Sequence, residues 1–368
     1  MKISLDEKSF NIAKKYLEAK ESNMSAAELY IEYLTHRRDA ISTDSIERYF
    51  DRSIESAFYQ SFVDEMSIDE NDLSFSKMKD WNKISDIKEL YKKDFQSNPY
   101  YRNIRLSNAE MKNRRLTNLS YLPYEGFVYD EIVVDSEDYY IEKTPLGFYP
   151  SQVSYPALLE DDTIWMSVIP HEINTMKMAL EKVRGNVLIY GLGLGYFAYM
   201  ASIKNDVDAI TIIENDSDII ALFKKQIFNK FTYRNKISII NEDAFEWAAK
   251  IKDGEYDYVF ADIWHNVGDG IAMYLKLKKY EQGKNTTKFL YWIETSLLSM
   301  FRRQVLSVFE EQINGFKEND YLKAKNENDI IINKLYFYLK DYSIKDANDL
   351  KNLLSDESLK NIAKNLNY

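Results

Sequence analysis

The sequence predicts an α/β protein with a doubly wound, mostly parallel sheet and helices on both faces. A helical N-terminal region and a small β-hairpin segment precede the sheet. Three observations predict this. Beyond residue 185, apolar runs of strand length alternate with amphipathic segments of helix length. The first run, NVLIYG, opens into three glycines at alternate positions, Gly191, Gly193 and Gly195. All 11 glycines lie at position 126 or later, and all six prolines lie between Pro99 and Pro170.

Residues 1–120 hold no glycine and one proline. LDEKSFNIAKKYLEAKE, SAAELYIEYLTHRRDAI and SIERYFDRSIESAFYQSFVDEM carry apolar residues at three- and four-residue steps, the helical period. Ser25, before AAEL, suits a helix start. Residues 124–150 change character: FVYDEIVV and YYIEKT read as strands joined by DSED, with LGFYP following. IPHEINTMKMALEKV reads as a helix. The alternation then runs NVLIYG strand, YFAYMASIKN helix, AITIIEN strand, DSDIIALFKKQIF helix, KISIINED strand, AFEWAAKIK helix, YDYVFADIW strand. Strands separated by single helices pair in parallel. Residues 271–312 read as mostly helical, with one strand at KFLYWIE. The tail is polar, with helical periodicity in IINKLYFYLKDY and DLKNLLSDESLKNIAKNL. The chain therefore divides into a helical region (1–120), a small β segment or lid (121–160), an α/β domain (161–315) and a helical extension (316–368).

Composition excludes whole classes of chemistry. The 368 residues contain no cysteine. That removes disulfides, thiolate zinc, iron–sulfur clusters and cysteine nucleophiles. A surplus of acids, 59 against 48 lysines and arginines, gives a net charge of −11. Duplex nucleic acid is disfavoured as a partner, because phosphate neutralisation needs a dense basic surface. YYRNIRL and NRRLTN interleave aromatics and bases, but the acidic whole favours a solvated helix face. The N-terminus has no apolar core of signal-peptide length, and no run approaches a membrane span. A soluble cytoplasmic protein with no membrane partner is expected.

Glycines at 191, 193 and 195 let the backbone turn sharply and approach a ligand at the start of a helix, whose free N–H groups favour anionic or polar groups. The spacing is G-x-G-x-G, where a dinucleotide fingerprint asks for G-x-G-x-x-G/A. The next strand ends in Glu214, a carboxylate placed to accept both ribose hydroxyls. NAD sites use the same device. The third strand leads into Glu242, Asp243 and Ala244, where an acid can meet the exocyclic amine of adenine. Asp243 equally suits the N-cap of AFEWAAK. The fourth strand sets Asp262 at the carboxyl edge of the sheet, where open α/β sheets bind ligands. His265 is a candidate proton acceptor near neutral pH, or an exposed loop histidine. Trp264 fits an acceptor pocket or the core.

These residues resemble the class I S-adenosylmethionine-dependent methyltransferases, and within them the spermidine-synthase-like branch. The carriers are VLIYGLGLG, IIENDSDII with Asp216 two places after Glu214, INEDAFEW, EYDYVFAD, and the pair His171-Glu172 upstream. Together they span roughly residues 170–265, about a quarter of the chain. The resemblance implies a Rossmann-like domain that binds S-adenosylmethionine through Gly191, Gly193, Gly195, Glu214, Asp243 and Ala244. Asp262 and His265 are then the catalytic candidates.

The departures set the functional expectation. Aminopropyl transferases of the branch carry Asp-Ser-x-Asp-Pro after the fourth strand; here the run is Asp262-Ile263-Trp264-His265-Asn266. The second acid is replaced by His265 and no proline follows, which counts against polyamine synthesis. The Asn/Asp-Pro-Pro-aromatic motif of amino methyltransferases is absent, and methylation of a pyrimidine carbon through a cysteine adduct is impossible. Metal dependence is not expected, since KFLYWIE supplies only Glu294. The leading expectation is in-line methyl transfer to a small-molecule acceptor, with a protein acceptor less favoured. Aminopropyl transfer with an altered acceptor, a catalytically silent S-adenosylmethionine-binding module and an NAD enzyme are the alternatives. A homodimer is left open. Residues 1–120 and 124–150 are expected to flank the site as an acceptor lid or a protein-binding surface.

Overall fold

Val187, Leu188, Ile189 and Tyr190 are consecutive and all buried. A strand covered by helices on both faces shows apolar side chains to each, which is why this run does not alternate with polar residues. A computed structural model, which describes residues 1–66, 85–321 and 325–368, places it at the centre of a parallel sheet. Parts of the helical expectations for 1–120 and for the tail fall on 67–84 and 322–324 and lie outside the described residues.

Among the described residues the sheet has five strands, in the order Ile237–Asn241, Val207–Glu214, Gly185–Tyr190, Tyr258–Ala261, Lys288–Tyr291. Every adjacent pair is parallel. The chain winds outward from Gly185–Tyr190 on one side, then returns to begin the other side at Tyr258–Ala261. The topological switch point, where such sheets open a ligand crevice, therefore lies between these two strands. Register brings the strand ends level: Tyr190 pairs with Ile213 and Ala261, Glu214 with Asn241, and Ala261 with Tyr291. Gly191, Glu214, Glu242, Asp262 and Trp292 consequently follow at one edge.

Three expectations are corrected. Ser25 starts no helix: one helix runs from Glu7 to His36, capped by Asp6, whose carboxylate accepts from the Ser9 N–H at 2.7 Å. The buried stripe Ala13, Tyr16, Ala19, Asn23, Ala26, Tyr30, Tyr33 passes through position 25 without a break, so packing overrides the local cap signal. The stretch up to 120 is not helical throughout, since Ser85–Glu89, Ala109–Met111 and Arg114–Tyr121 are strands. NRRLTN is accordingly no helix face: Arg114–Tyr121 pairs antiparallel along its whole length with Val153–Glu160. The segment RRLTNLSY shows no clean two-residue alternation, its burial running through both Leu116 and Thr117, so the strand is set by its pairing partner and not by a local period.

The expected hairpin is present, with Val133, Val134 and Asp135 opposite Lys143, Glu142 and Ile141. Asn23 pins the long helix to it, donating to the Tyr140 carbonyl at 2.8 Å and accepting from the Glu142 N–H at 3.0 Å. A four-stranded antiparallel sheet, ending in Thr163–Ser167, leads into the helix Pro170–Lys182 and the parallel domain. In the tail, helices Glu327–Leu339, Ala347–Leu353 and Asp356–Asn365 bury Ile331, Leu335, Leu350, Leu353 and Leu359. Among the described residues no helix is long and apolar enough to cross a membrane.

Candidate functional site

The edge row of the sheet is the floor of a cavity of about 530 Å³, within the size range of small-molecule sites. Gly191, Gly193, Glu214, Asp243, Ala244, Asp262 and His265 all line it, so the structure brings these candidates together. Gly195 closes the turn as the N-cap of Tyr196–Ser202.

The glycines of the turn all have positive φ, but they differ in what surrounds them. Gly191 has φ +93°, and a Cβ there would meet the Asp262 carbonyl oxygen at 2.0 Å, so only a bare backbone lets the two central strands meet at the switch point. Gly193 has φ +54°, and a Cβ there would find nothing within 4 Å. That open space lies along the cavity wall, where a ligand can reach the main chain.

Glu214 is buried and tied to this turn: one carboxylate oxygen accepts from the Leu192 N–H at 3.1 Å, the other from the Asp216 N–H at 2.9 Å. Burial raises its pKa, and those backbone donors oppose the rise. Each oxygen keeps a lone pair for a further donor. Asp216 caps Ser217–Gln226, accepting from Asp218 and Ile219 N–H groups at 2.8 and 3.1 Å, and meets the Arg114 guanidinium at 2.6 Å. Burial would raise the Asp216 carboxyl, but Arg114 and the amides together hold it below its ordinary value. Asp243 caps Ala244–Lys250 through the N–H groups of Phe245 and Glu246, at 2.8 and 3.0 Å.

The other end of the cavity is different. Asp262 and Glu172 are half-buried and line a cavity that water can enter. Burial pushes Asp262 up to about 7. Glu172 is pushed well above the usual range, first by burial and then by the charge of Asp262 beside it. His171 is held down to about 4 by burial, so its imidazole is neutral at neutral pH. Its ring meets Trp292 edge to face at 5.9 Å. Trp292 Nε1 donates to Thr175 Oγ1 at 2.8 Å, and that hydroxyl donates to the His171 carbonyl at 2.7 Å. The chain turns after Trp292 through Ile293 at φ +48°, a conformation rare for a β-branched residue and costly to hold.

His265 stands at the rim, not on the floor. Its Nδ1 is 3.0 Å from an Asp269 carboxylate oxygen, and its ring packs on Trp165 with centroids 4.2 Å apart. Trp264 is buried and stacks on Tyr291, and it also lines the cavity.

Sequence reasoning passed over Trp292, Trp165 and Asp269, and used Glu172 only as a marker of resemblance. The position of Glu172 just after Pro170, in the first turn of a helix aimed at the sheet edge, was the available signal. Trp165 and Trp292 carried none, because which face of a short strand meets a cavity depends on pairing partners distant in sequence.

Five carboxylates line the cavity: Glu172, Glu214, Asp216, Asp243 and Asp262. Among the described residues no lysine or arginine does.

Residues 169–286 match the family model described as the spermine/spermidine synthase domain. The match takes in the glycine turn, Glu214, Asp243 and Asp262, the same residues that carry the spermidine-synthase-like resemblance in the sequence. An uncharacterized protein of Methanocaldococcus jannaschii is 29% identical over 144 residues, which is 38% of this chain and 49% of that protein. The chain thus spans about half the length of that relative. A spermidine synthase structure from Thermotoga maritima is similar at 15% identity, over 41% of this chain and 59% of that one, with a TM-score of 0.30. A spermidine synthase in complex with the transition-state analogue AdoDATO is similar at 15% identity, over 41% and 60%, also with a TM-score of 0.30.

Proposed function

We propose that the protein is an aminopropyl-transferase-like enzyme that joins an amine to the carbon chain of decarboxylated S-adenosylmethionine. Methyl transfer, the leading expectation from the sequence, has support at the level of the fold alone. The domain match favours aminopropyl transfer, and one observation carries the reading further: the cavity holds five carboxylates with no lysine or arginine among its lining residues. Such a site suits cations. An intact methionine end would bring an α-carboxylate into a wall of acids; the decarboxylated end brings only positive charge.

The missing second acid after the fourth strand also finds an answer. Glu172, from the helix Pro170–Lys182, lines the same cavity as Asp262 and offers a second carboxyl from a different element. The sequence motif is broken while the chemical pair is kept.

The residues present fit the nucleoside. The bare turn at Gly191–Gly195 would give it main-chain contact, Glu214 would accept the ribose hydroxyls on its free lone pairs, and Asp243 is placed to meet the adenine. When bound, the sulfonium supplies a carbon already activated toward a nucleophile. Asp262 and Glu172 hold the acceptor ammonium, and Asp262 takes its proton as the amine becomes nucleophilic. A carboxyl near 7 suits that exchange at neutral pH. Trp292, Trp165 and Trp264 line the remaining walls against water and pack alkyl carbons.

The test is direct. The full chain is incubated with decarboxylated S-adenosylmethionine or S-adenosylmethionine and a panel of di- and triamines, and the amines are followed by mass. The expected result is a gain of one aminopropyl unit on an amine, with release of methylthioadenosine. A gain of one methyl group from S-adenosylmethionine alone would restore the first expectation.

A further inference from the structure

We propose that Tyr100 and Arg114 are positioning residues of the nucleoside cradle, bracing it from outside at the glycine turn and at the acidic strand tip. The inference rests on the adenosyl-cofactor reading above for its consequence, but the brace itself is a matter of contacts.

Tyr100 is fully buried, and its hydroxyl donates to the carbonyl of Leu194, between Gly193 and Gly195, at 2.7 Å. The residues around it hold the same region. Asn98 accepts from the Tyr100 N–H at 2.9 Å and donates to the Tyr196 hydroxyl at 3.1 Å. Asn103 donates to the Tyr199 hydroxyl at 2.7 Å, and Tyr101 to the Val168 carbonyl. The helix Pro99–Asn103 is too short to persist by itself, so it is held by the helix Tyr196–Ser202 that it touches. A turn with glycine at alternate positions has more conformations to lose than any other sequence. A buried ring whose one polar atom ends on the turn's carbonyl removes many of them.

The second point is Arg114. Its guanidinium bridges Glu160 at 3.0 Å and Asp216 at 2.6 Å. It holds the Asp216 carboxyl below its ordinary value while Asp216 caps its helix. Lys112 pairs with Asp218 one turn along. Asp216 in turn donates its N–H to Glu214. Arg114 therefore fixes the backbone on which the ribose carboxylate sits and offsets the nearest like charge. Residues 98–120, expected from the sequence to belong to an acceptor lid or a protein-binding surface, are given by these contacts to the nucleoside side.

The experiment compares the full chain with Tyr100→Phe and Arg114→Gln. Amide hydrogen exchange of residues 191–196 and 214–219 reads the brace with no ligand present. Calorimetry with methylthioadenosine reads the cradle, and KM values for nucleoside and amine read the consequence. Tyr100→Phe is expected to speed exchange in 191–196, and Arg114→Gln in 214–219. Each should weaken methylthioadenosine by about tenfold, the ratio that one lost hydrogen bond commands. The nucleoside KM should rise by a similar factor while the amine KM stays within twofold; general destabilisation would lower kcat alone. Where Tyr100→Phe folds poorly, Arg114→Gln, at a partly exposed site, decides. Unchanged exchange in both segments overturns the brace. Failure of the unaltered chain to bind any adenosyl compound overturns the cofactor reading instead, and the exchange data still decide the brace.

Discussion

Two pairs of acids stand at the same sheet edge, in one cavity, with opposite surroundings. At one end, Glu214 and Asp216 have a donor on every oxygen: the N–H groups of Leu192, Asp216, Asp218 and Ile219, and the Arg114 guanidinium. At the other, Glu172 and Asp262 line the same cavity, and desolvation drives both toward the protonated form. The first pair is complete without a ligand and serves as scaffold with spare lone pairs. Among the described residues no lysine or arginine lines the cavity beside the second, and under the proposed function a cationic substrate would supply the countercharge. Perturbed carboxyls in a cleft are where chemistry is sought, and the contrast with a neighbouring, compensated pair is what makes Glu172 and Asp262 the pair to test.

The sharpest way to break this contrast is Asp262→Asn. Turnover is expected to fall by about two to four orders of magnitude, the usual loss of a proton acceptor. The fold should hold or gain, because an uncompensated buried acid is removed. Turnover within tenfold of the unaltered chain, with the same amine product, would show that the pair is not the acceptor site.

The pH dependence separates the pairs next. Asp262 near 7 must be ionised to hold an ammonium, so kcat/KM should rise with pH and level off just above 7. Stability should move the other way. A carboxyl that binds its proton more tightly folded than unfolded stabilises the native state at low pH. That contribution drains away as pH rises from the ordinary carboxyl range through about 7. Melting temperature of the ligand-free chain should therefore decline over that window, and Asp262→Asn should flatten the slope. An identical slope in the variant would mean that another group titrates.

The fold was legible because its signals are local. Apolar runs such as Val187–Tyr190, short and alternating with helix-length amphipathic segments, read as doubly covered strands, and the parallel register seen in the sheet then brings Gly191, Glu214 and Asp262 to one edge. The acceptor end was less legible. The sequence expectation leaned on the residues following Asp262, where a family motif is broken, whereas the second carboxyl arrives on a helix about ninety positions earlier. The local signal for Glu172, its place in the first turn after Pro170, marks a helix start and not a cavity; that it meets the sheet edge depends on strands distant in sequence. The strand Arg114–Tyr121 was missed for a related reason: two adjacent arginines suggest solvent, and their true partners, Glu160, Asp216 and Asp162, lie about fifty to a hundred positions away.

Smaller changes sharpen the nucleoside end. Glu214→Gln keeps an acceptor for the Leu192 N–H but loses charge at the ribose hydroxyls. The nucleoside KM is expected to rise about ten- to a hundredfold, as loss of a charge-assisted pair of bonds implies, with amine KM unaltered. An effect on amine KM instead would place Glu214 at the wrong end. His265→Gln, at the rim and bound to Asp269, is expected to change turnover by only a few-fold. A loss comparable to that of Asp262→Asn would move the proton acceptor to the rim.

The smallest effect is the most discriminating about a single residue. Asp243 caps the helix Ala244–Lys250 through two backbone N–H groups and also lines the cavity. These two duties need different reach. Asp243→Ala is expected to cost about 1 kcal/mol of stability from the lost cap, together with a few-fold in nucleoside affinity. Asp243→Ser restores a good cap with a side chain too short to extend toward adenine. Thermal melts and methylthioadenosine titrations of both variants pull the duties apart. If Ser recovers the stability and leaves the affinity low, the carboxylate touches the base. If Ser recovers both, Asp243 holds up its helix and nothing more, and the purine is recognised by the turn and by Glu214.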